Sequence, residues 1–268
     1  MRSVPPLDAD TPLGPTPIDD PFLSVLIPVF NEERTLEQVV RRVAKLALRK
    51  EIIIIDDGST DNSGYIAAAL ARDFSATNTT VTALTHSRNL GKGAAVRSGI
   101  SASIGSIVLI QDADLEYDPA DLPALLEPLL SGHADVVYGS RFSGGQPQRA
   151  HLFLHYVGNK FLTLVTCALF NTTLSDMEVG YKAFRGDLLR GLHLTSNDFR
   201  IEPELTARIL RQDNIRLYEV PIRYFGRSLA EGKKITWRDG ARALGALLRF
   251  RFDRPNFKRG APPRAHED

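Results

Sequence analysis

The sequence has little cysteine and no long apolar run. Its 268 residues include a single cysteine, Cys167, which excludes an intramolecular disulfide framework and a zinc site built from several thiolates. No apolar run approaches the roughly 20 residues that a membrane-spanning helix requires. We therefore expect a protein of a reducing compartment, the cytoplasm, with at most a peripheral position on the cytoplasmic face of a membrane.

The start of the chain also lacks the apolar region of a signal peptide. It holds six prolines and four aspartates within 21 residues. Such a composition cannot bury enough apolar surface to fold alone, so we interpret residues 1–21 as a disordered Pro-rich leader.

The chain lacks an overall excess of charge, since 33 Lys and Arg face 32 Asp and Glu. The balance conceals a segregation, because residues 223–259 carry a net charge of +8 and the rest carries −7. A basic stretch suits anionic lipid, a phosphorylated substrate or nucleic acid, and the alternative is a solvated helix face. Aromatic platforms for base stacking are not evident there, so we predict no nucleic-acid partner.

From Leu23 onward, short β-branched runs alternate with helical patterns, which is typical of βαβ units. Strands are predicted over 23–29, 51–55, 81–86, 106–111, 135–138 and 215–224, and helices near 36–46, 92–104, 119–131, 157–170, 202–212 and 237–252. We therefore predict an α/β fold over residues 22–252, with a mixed, mainly parallel sheet, helices on both faces and a C-terminal amphipathic helix. Residues 253–268 are predicted to form a flexible basic tail.

Polar residues follow four of these strands where each strand ends. They are Asn31 and Glu32, Asp56 and Asp57, Ser87 to Asn89, and Asp112 with Asp114. Ligands of parallel α/β sheets bind outside the carboxyl ends of the strands, so we expect the four clusters to face one crevice.

The sharpest motif is Asp112-Ala113-Asp114, which follows the apolar run SIVLI. Two carboxylates there form a hard-oxygen site for Mg or Mn, which keeps waters and takes further ligands from substrate phosphates. Glu116 offers a third oxygen. A solvated turn is the alternative interpretation, and the position after a buried strand favours the metal.

A second cluster places Asp56, Asp57 and Gly58 directly after four isoleucines. Acidic groups at a strand end accept hydrogen bonds from ribose hydroxyls or base N–H groups. The alternative is a turn followed by a helix cap from Thr60 or Asp61.

The stretch HSRNLGKGAAVRSG lacks both the Walker spacing and the dinucleotide fingerprint. A more modest interpretation is that Gly91 and Gly93 let the backbone approach a nucleotide while Lys92 offsets its charge. A simple helix-entry turn explains the same residues equally well.

Taken together, several blocks resemble the family-two inverting glycosyltransferases. They are PVFNE (28–32), DDGSTDNS (56–63), NLGKGAAVRSG (89–99), DADLEYDP (112–119) and GSRF (139–142). Three more resemble the polyprenyl-phosphate branch, which includes dolichyl-phosphate mannose and dolichyl-phosphate glucose synthases: DMEVGYKAFR (176–185), FRIEPELTARI (199–209) and EVPIRYFGRSLAEGKKITWRDG (219–240). The resemblance implies a Rossmann-like GT-A fold.

The resemblance also implies roles for individual residues. Asp112 and Asp114 would hold the metal and the diphosphate, with Glu116 as a further ligand where some relatives have glutamine. The nucleoside pocket would be lined by Pro28, Asn31, Glu32, Asp56, Asp57 and Gly58. Phosphate groups would be met by Arg141, Arg227 and Lys233, and sugar hydroxyls by Asp176 and Glu178.

The implied activity is inverting transfer of a hexose from a nucleoside diphosphate sugar, of the UDP-glucose or GDP-mannose type, to a polyprenyl or dolichyl phosphate. The implied cofactor is Mg or Mn. The final helix lies on an anionic membrane surface or packs on the core, since its apolar residues stand beside arginines: Trp237, Ala241, Leu244, Leu247 and Leu248 beside Arg238, Arg242 and Arg249. Two other activities stay open: transfer to a soluble saccharide or protein acceptor, and a non-catalytic nucleotide-sugar binding module.

Overall fold

A computed structural model describes residues 17–74, 78–147, 149, 153–226 and 237–253. Residues 1–16 of the predicted leader and 254–268 of the predicted tail lie outside these ranges. Before the first strand, the Ile18 N–H donates to the Leu130 carbonyl at 3.2 Å, and Asp20 pairs with Arg49 at 2.8 Å. The packed part of the chain therefore begins before residue 22.

The centre of the fold is a seven-stranded sheet. Its strands are β1 (Phe22–Val29), β2 (Arg49–Asp56), β3 (Thr79–Thr85), β4 (Ile107–Ile110), β5 (Val136–Ser140), β6 (Lys182–Arg185) and β7 (Leu217–Pro221). Their spatial order is β3-β2-β1-β4-β6-β5-β7, and only the two pairs that involve β6 are antiparallel. The predicted mixed, mainly parallel sheet is confirmed.

Helices connect the strands. They are α1 (Leu36–Ala44), α2 (Ser63–Asp73), α3 (Lys92–Ala102), α4 (Leu122–Leu130), α5 (Phe153–Phe170), α6 (Gly186–Gly191), α7 (Ile201–Leu210) and α8 (Trp237–Phe252). Consecutive residues along β1, β2, β4 and β5 are buried, which requires cover on both faces of the sheet. The runs of isoleucine, valine and leucine in these strands supply that two-sided core.

Strand β6 is the element that the sequence pattern missed. Its residues were predicted to belong to a polar linker, and that prediction is wrong, because they pair with β4 and β5 in the middle of the sheet. The side chain of Lys182 is fully buried there and forms an ion pair with Glu202 of α7. A charged residue in a four-residue strand interrupts the apolar pattern by which a buried strand is recognised in a sequence. The strand becomes recognisable only when the ion-pair partner of that residue is known.

Helix α8 packs on the core through one face. Leu247 and Ala243 lie against Leu162 and Met177, and Phe250 lies against Ala207. Leu248, on another face of the same helix, is 44% exposed. The core-packing alternative therefore accounts for one face of α8 and leaves the outer face to be explained.

Candidate functional site

The predicted polar residues meet at one edge of the sheet. The carboxyl ends of β1, β2, β4 and β5 lie at the same edge because these strands run parallel or are related through β6, which runs in the opposite direction. The antiparallel strand β6 brings its amino end, and with it residues 176–181, to that edge. The sequence expectation of one convergent crevice rim is confirmed by this topology.

The loops after β1 and β2 are tied together by side chains. Asn31 adopts a left-handed backbone conformation with φ of 57°, and its Oδ1 accepts from the Thr60 N–H at 2.8 Å. The N–H of Glu32 donates to Ser63 Oγ at 2.8 Å. Pro28 lies in β1 beside Ile55 and is partly exposed. These contacts fix the shape of the wall that we predicted to line a nucleoside pocket.

Asp57 holds the loop after β3. Its carboxylate accepts from the Leu90 N–H at 3.0 Å and the Gly91 N–H at 2.7 Å, and it contacts His86 Nδ1 at 2.6 Å. Only 2% of the residue is exposed. The buried carboxylate is therefore already satisfied by its own protein, and contact with a nucleoside stays a prediction.

Asp56 and Gly58 shape the turn that follows β2. Asp56 Oδ1 accepts from the Ser59 N–H at 3.1 Å. Gly58 has φ of 67°, and a Cβ there would strike the backbone of Arg88. Glycine is required at this position because the loops after β2 and β3 approach each other so closely.

The glycines around Lys92 serve an internal contact. A Cβ on Gly91 or Gly93 would collide with carbonyl oxygens of the loop before α7, those of Asn197 and Ser196. The Asn197 carbonyl also accepts from the Ala94 N–H at 3.0 Å, near the start of α3. The loop before α7 therefore accounts for the need for glycine at both positions, and an approach of this backbone to a nucleotide stays a prediction.

Lys92 itself lies between two carboxylates. Its Nζ is 2.8 Å from Asp112 Oδ1 and 3.1 Å from Glu202 Oε1. Burial opposes the charge, but Asp112 and Glu202 outweigh it and raise the pKa of Lys92. Glu202 in turn pairs with Lys182, so a chain of alternating charges runs from the partly exposed Asp112 to the fully buried Lys182 of β6. Lys92 was predicted to contact substrate, and in the structure it neutralises Asp112.

Asp112 is also confined from its other side. A Cβ on Gly180 would overlap Asp112 Oδ2, so only glycine lets this carboxylate lie where it does. Asp114 Oδ1 accepts from the Glu116 N–H at 3.1 Å, and Glu116 Oε2 accepts from the Tyr224 hydroxyl at 2.7 Å. In the described part of the chain, no three acidic, histidine or cysteine groups are gathered closely enough to hold a metal. The expected trio with Glu116 does not form a complete cage.

Arg141 is fixed by Asp176. The guanidinium donates two hydrogen bonds of 2.7 Å to the carboxylate, and the Arg141 N–H adds a third of 3.1 Å. Asn159 also donates to Asp176 at 3.3 Å. Burial opposes ionisation of both partners, but their attraction raises the pKa of Arg141 and lowers the pKa of Asp176. Asp176 was predicted to lie near sugar hydroxyls. In the structure it is fully buried, and both of its carboxylate oxygens accept hydrogen bonds from Arg141 and so orient it.

Glu178 has one carboxylate oxygen that no described residue satisfies. Its Oε1 is shut off from solvent and accepts no hydrogen bond from any residue that the structure describes. Burial raises the pKa of Glu178 to about 7, with Lys182 opposing the shift and Glu202 adding to it. A carboxyl kept in this state is a good acceptor or donor for a polar group that enters from outside.

Sequence reasoning missed Lys182, Glu202, Gly180 and Tyr224 as parts of the site. Each lies inside a block that resembled the family, and that membership was the available signal. Charged residues within a helix or linker otherwise indicate a solvated face, and their partners lie far away in sequence. Arg227 and Lys233 fall outside the described residues, so their predicted phosphate contacts stay predictions.

A cavity of about 960 Å³ lies elsewhere, between α1 and α4. Its walls include Arg42, Lys45, Leu126 and Leu130. None of the residues predicted to act on substrate belongs to its lining, so it does not mark the convergent edge.

Comparison with known proteins gives the family. A family model described as "Glycosyl transferase family 2" matches residues 24–171. Polyprenol monophosphomannose synthase from Mycolicibacterium smegmatis is 30% identical over 215 residues, which are 78% of this chain and 79% of that protein. This chain belongs to glycosyl transferase family 2.

Another relative of this family 2 protein is undecaprenyl-phosphate 4-deoxy-4-formamido-L-arabinose transferase from Pseudomonas aeruginosa. It is 41% identical over 130 residues, which are 47% of this chain and only 36% of that protein. The chain thus spans about a third of the length of that relative. Both relatives carry a polyprenyl group in their names, which confirms the resemblance to the polyprenyl-phosphate branch.

The fold is similar to a solved structure of glucosyl-3-phosphoglycerate synthase from Mycobacterium tuberculosis in complex with Mn²⁺, UDP and phosphoglyceric acid. The TM-score is 0.66 at 22% identity, covering 88% of this chain and 80% of that one. The expected GT-A fold of the family 2 protein is confirmed by this likeness.

Replacing Glu178 by glutamine should change stability in a pH-dependent way. Because the pKa of Glu178 rises from 4.5 to about 7 on folding, the folded state resists its ionisation, and the cost of the charge grows as pH rises between these values. Glu178→Gln should therefore increase the free energy of unfolding at pH 8 by on the order of 2 kcal/mol, and far less at pH 5. Urea unfolding at both pH values measures this. The exposed Glu127→Gln is the control, and an equal effect of Glu178→Gln at both pH values would contradict the prediction.

Adding a methyl group at position 180 should destabilise the fold. In Gly180→Ala the new Cβ meets Asp112 and Tyr117, which are both held by other contacts, and such overpacking costs about 1 to 3 kcal/mol. Gly158→Ala is the matched control, because a Cβ there in α5 meets nothing within 4 Å and should stabilise the helix by about 1 kcal/mol. Equal unfolding midpoints of Gly180→Ala and the unaltered protein would show that Asp112 is not confined by Gly180.

Proposed function

We propose that this family 2 glycosyltransferase moves a hexose from a nucleoside diphosphate sugar to a polyprenyl phosphate, with inversion at the anomeric carbon. The observation that carries the proposal is the meeting, at one edge of the sheet, of the strand-end pair Asp112 and Asp114 with the buried Arg141. An acidic pair suits a divalent cation, and a guanidinium suits phosphate oxygens.

The donor set fits Mg or Mn held jointly by protein and substrate. Asp112 and Asp114 supply carboxylate oxygens, and the lack of a third acidic, histidine or cysteine group in the described residues leaves positions for diphosphate and water. A divalent ion bound there would offset the charge that develops on the leaving diphosphate. Mn²⁺ and UDP accompany the similar M. tuberculosis synthase, which supports a nucleoside diphosphate and a divalent ion for this chain.

The chain's own residues then supply electrostatics and orientation. Arg141, aimed by its bidentate pair with Asp176, would reduce the repulsion between donor and acceptor phosphates. A phosphate monoester is largely dianionic at neutral pH, so its oxygen attacks without a dedicated base. Glu178, whose Oε1 has no hydrogen-bond partner among the described residues, would accept a hydrogen bond from a hydroxyl of the transferred sugar. The nucleoside would lie against the wall built by Pro28, Asn31, Glu32, Asp56, Asp57 and Gly58.

The acceptor is inferred to be a lipid because of the relatives' names and of a surface beside the site. Helix α5 lies over the site with Asn159 turned toward Asp176, while an outer stripe is exposed to solvent. The stripe consists of Phe153, Val157, Phe161 and Leu164, which are between 44% and 75% exposed and recur at helical spacing. Solvent exposure of so many apolar side chains on one face indicates an interaction site.

Helix α8 extends this surface. It packs beside α5, and its outer face exposes Leu248 and Phe252 next to the exposed arginines Arg242, Arg249 and Arg251. Helix α5 contains no acidic residue. An apolar stripe bordered by arginines matches the interface of an anionic bilayer, so we propose peripheral binding to the cytoplasmic face of a membrane through α5 and α8. No helix in the described ranges has both the length and the apolarity to cross a membrane.

Transfer should be measurable with purified protein, Mg or Mn, and either UDP-glucose or GDP-mannose. We expect product with polyprenyl phosphate and none with free sugars as acceptors. Asp114→Asn should lower turnover by roughly two orders of magnitude or more, because the charge that develops on the diphosphate loses part of its stabilisation. The unfolding midpoint of this variant should be unchanged. Transfer to free sugars alone would favour the soluble-acceptor alternative, and normal turnover of Asp114→Asn would refute the metal role.

Membrane binding should depend on the outer stripe of α5. In flotation with phosphatidylcholine vesicles that contain phosphatidylglycerol, the variant Phe161→Glu/Leu164→Glu should stay unbound, since charge in the stripe opposes insertion. The matched control is Tyr65→Glu/Ile104→Glu, which alters two more exposed large side chains outside α5 and α8. Activity on a short, water-soluble prenyl phosphate should be unchanged. Equal flotation of both variants would place membrane binding elsewhere.

A further inference from the structure

Tyr224 lies between the acidic loop after β4 and the arginine after β5. It follows β7, is 2% exposed, and forms an isolated antiparallel bridge with Tyr117. Its hydroxyl donates to Glu116 Oε2 at 2.7 Å, and the neighbouring Phe225 N–H donates to the Glu116 carbonyl at 2.9 Å. Glu116 therefore holds the segment around Tyr224 through two hydrogen bonds, one to its side chain and one to its backbone.

The ring of Tyr224 faces Arg141. The guanidinium carbon lies 5.1 Å from the ring centroid, within the range of a cation–π contact. Asp176 holds the edge of the same guanidinium through two hydrogen bonds. Arg141 is thus fixed by a carboxylate along its edge and by an aromatic ring across its face, which leaves it little freedom to turn.

We propose that Glu116 and Tyr224 are positioning residues for Arg141: the Glu116 carboxylate anchors the Tyr224 hydroxyl, and the anchored ring sets the plane in which Arg141 presents its donors to a phosphate group. This inference rests on the proposed function in one respect, namely that Arg141 meets a phosphate of donor or acceptor. It replaces the expected metal role of Glu116 with a structural one.

The geometry favours this role over metal binding. Glu116 directs Oε2 toward Tyr224, and it does not join Asp112 and Asp114 in a three-carboxylate group within the described residues. The Tyr224 hydroxyl is the donor in this contact, and Glu116 Oε2 is the acceptor. An anchor of this kind requires an acceptor oxygen at position 116 and no charge, so glutamine should serve as well as glutamate.

The test uses two probes on the full chain: inorganic pyrophosphate in metal-free buffer, and Mn²⁺ alone, each titrated by calorimetry. Tyr224→Phe and Glu116→Ala should weaken pyrophosphate binding by about three- to tenfold, because a misaligned guanidinium loses part of its bidentate contact. Glu116→Gln should stay within about twofold of the unaltered protein. Mn²⁺ affinity should be unchanged in all three variants and reduced in Asp114→Asn.

Two controls separate positioning from general damage. Tyr138→Phe removes another buried tyrosine hydroxyl, one that pairs with Thr206, and should leave pyrophosphate binding unaltered. In an Arg141→Ala background, Tyr224→Phe should cause no further loss, because the coupling runs through Arg141.

Three results would overturn the inference: weakened Mn²⁺ binding by Glu116→Gln comparable to that of Asp114→Asn, normal pyrophosphate binding by Tyr224→Phe, or an equal loss from Tyr224→Phe with and without Arg141. Pyrophosphate binding that is indifferent to Arg141→Ala itself would instead contradict the phosphate role in the proposed function. This test measures binding and includes no transfer assay. Its result is therefore valid even if polyprenyl phosphate proves not to be the acceptor.

Discussion

The site depends on a chain of alternating charges, in which Asp112 and Lys92 are partly exposed and Glu202 and Lys182 are buried. Isolated charges at these depths would be strongly unfavourable, and pairing each with the next makes their burial tolerable. The chain links four separate parts of the sequence: the end of β4, the start of α3, the first turn of α7 and the amino end of β6. Removing Lys92 would leave Asp112 without its ion-pair partner, and removing Glu202 would do the same to Lys182, so the geometry of Asp112 depends on the packing of the inner members of the chain.

Many polar side chains at the sheet edge form hydrogen bonds with other groups of the protein. Asp57 satisfies backbone donors of the loop after β3, and Asp176 holds Arg141. Fewer polar groups are therefore available to substrate than the residue types suggest. The groups that remain available are held rigidly by their neighbours. Rigid donors aimed at the place where charge develops are worth more to catalysis than mobile ones. Glu178 differs from these neighbours because its buried Oε1 has no hydrogen-bond donor among the described residues, and for that reason it is the more informative candidate for contact with substrate.

The amino-acid sequence predicted the strands and their polar ends well, because β-branched runs and strand-end carboxylates are local signals. It failed where a residue's environment comes from distant parts of the chain. Strand β6 escaped because Lys182 is neutralised by Glu202, 20 residues away. Gly91 and Gly93 indicated a close approach of the backbone to another group, and in the structure the loop around Asn197 makes that approach. The glycine spacing in the sequence indicates that the backbone approaches another group closely. The fold is needed to identify that group.

The ion pair of Lys92 with Asp112 bears on how a divalent cation would join the site. A carboxylate that already faces an ammonium at 2.8 Å attracts a second cation less strongly than a carboxylate alone, because Lys92 repels it. The described residues offer no three-group cage to compensate for that repulsion. Diphosphate oxygens supply both ligands and negative charge, which reverses the balance. We therefore expect a divalent ion to bind more tightly together with the nucleotide than alone, with Lys92 keeping Asp112 in place in the absence of both.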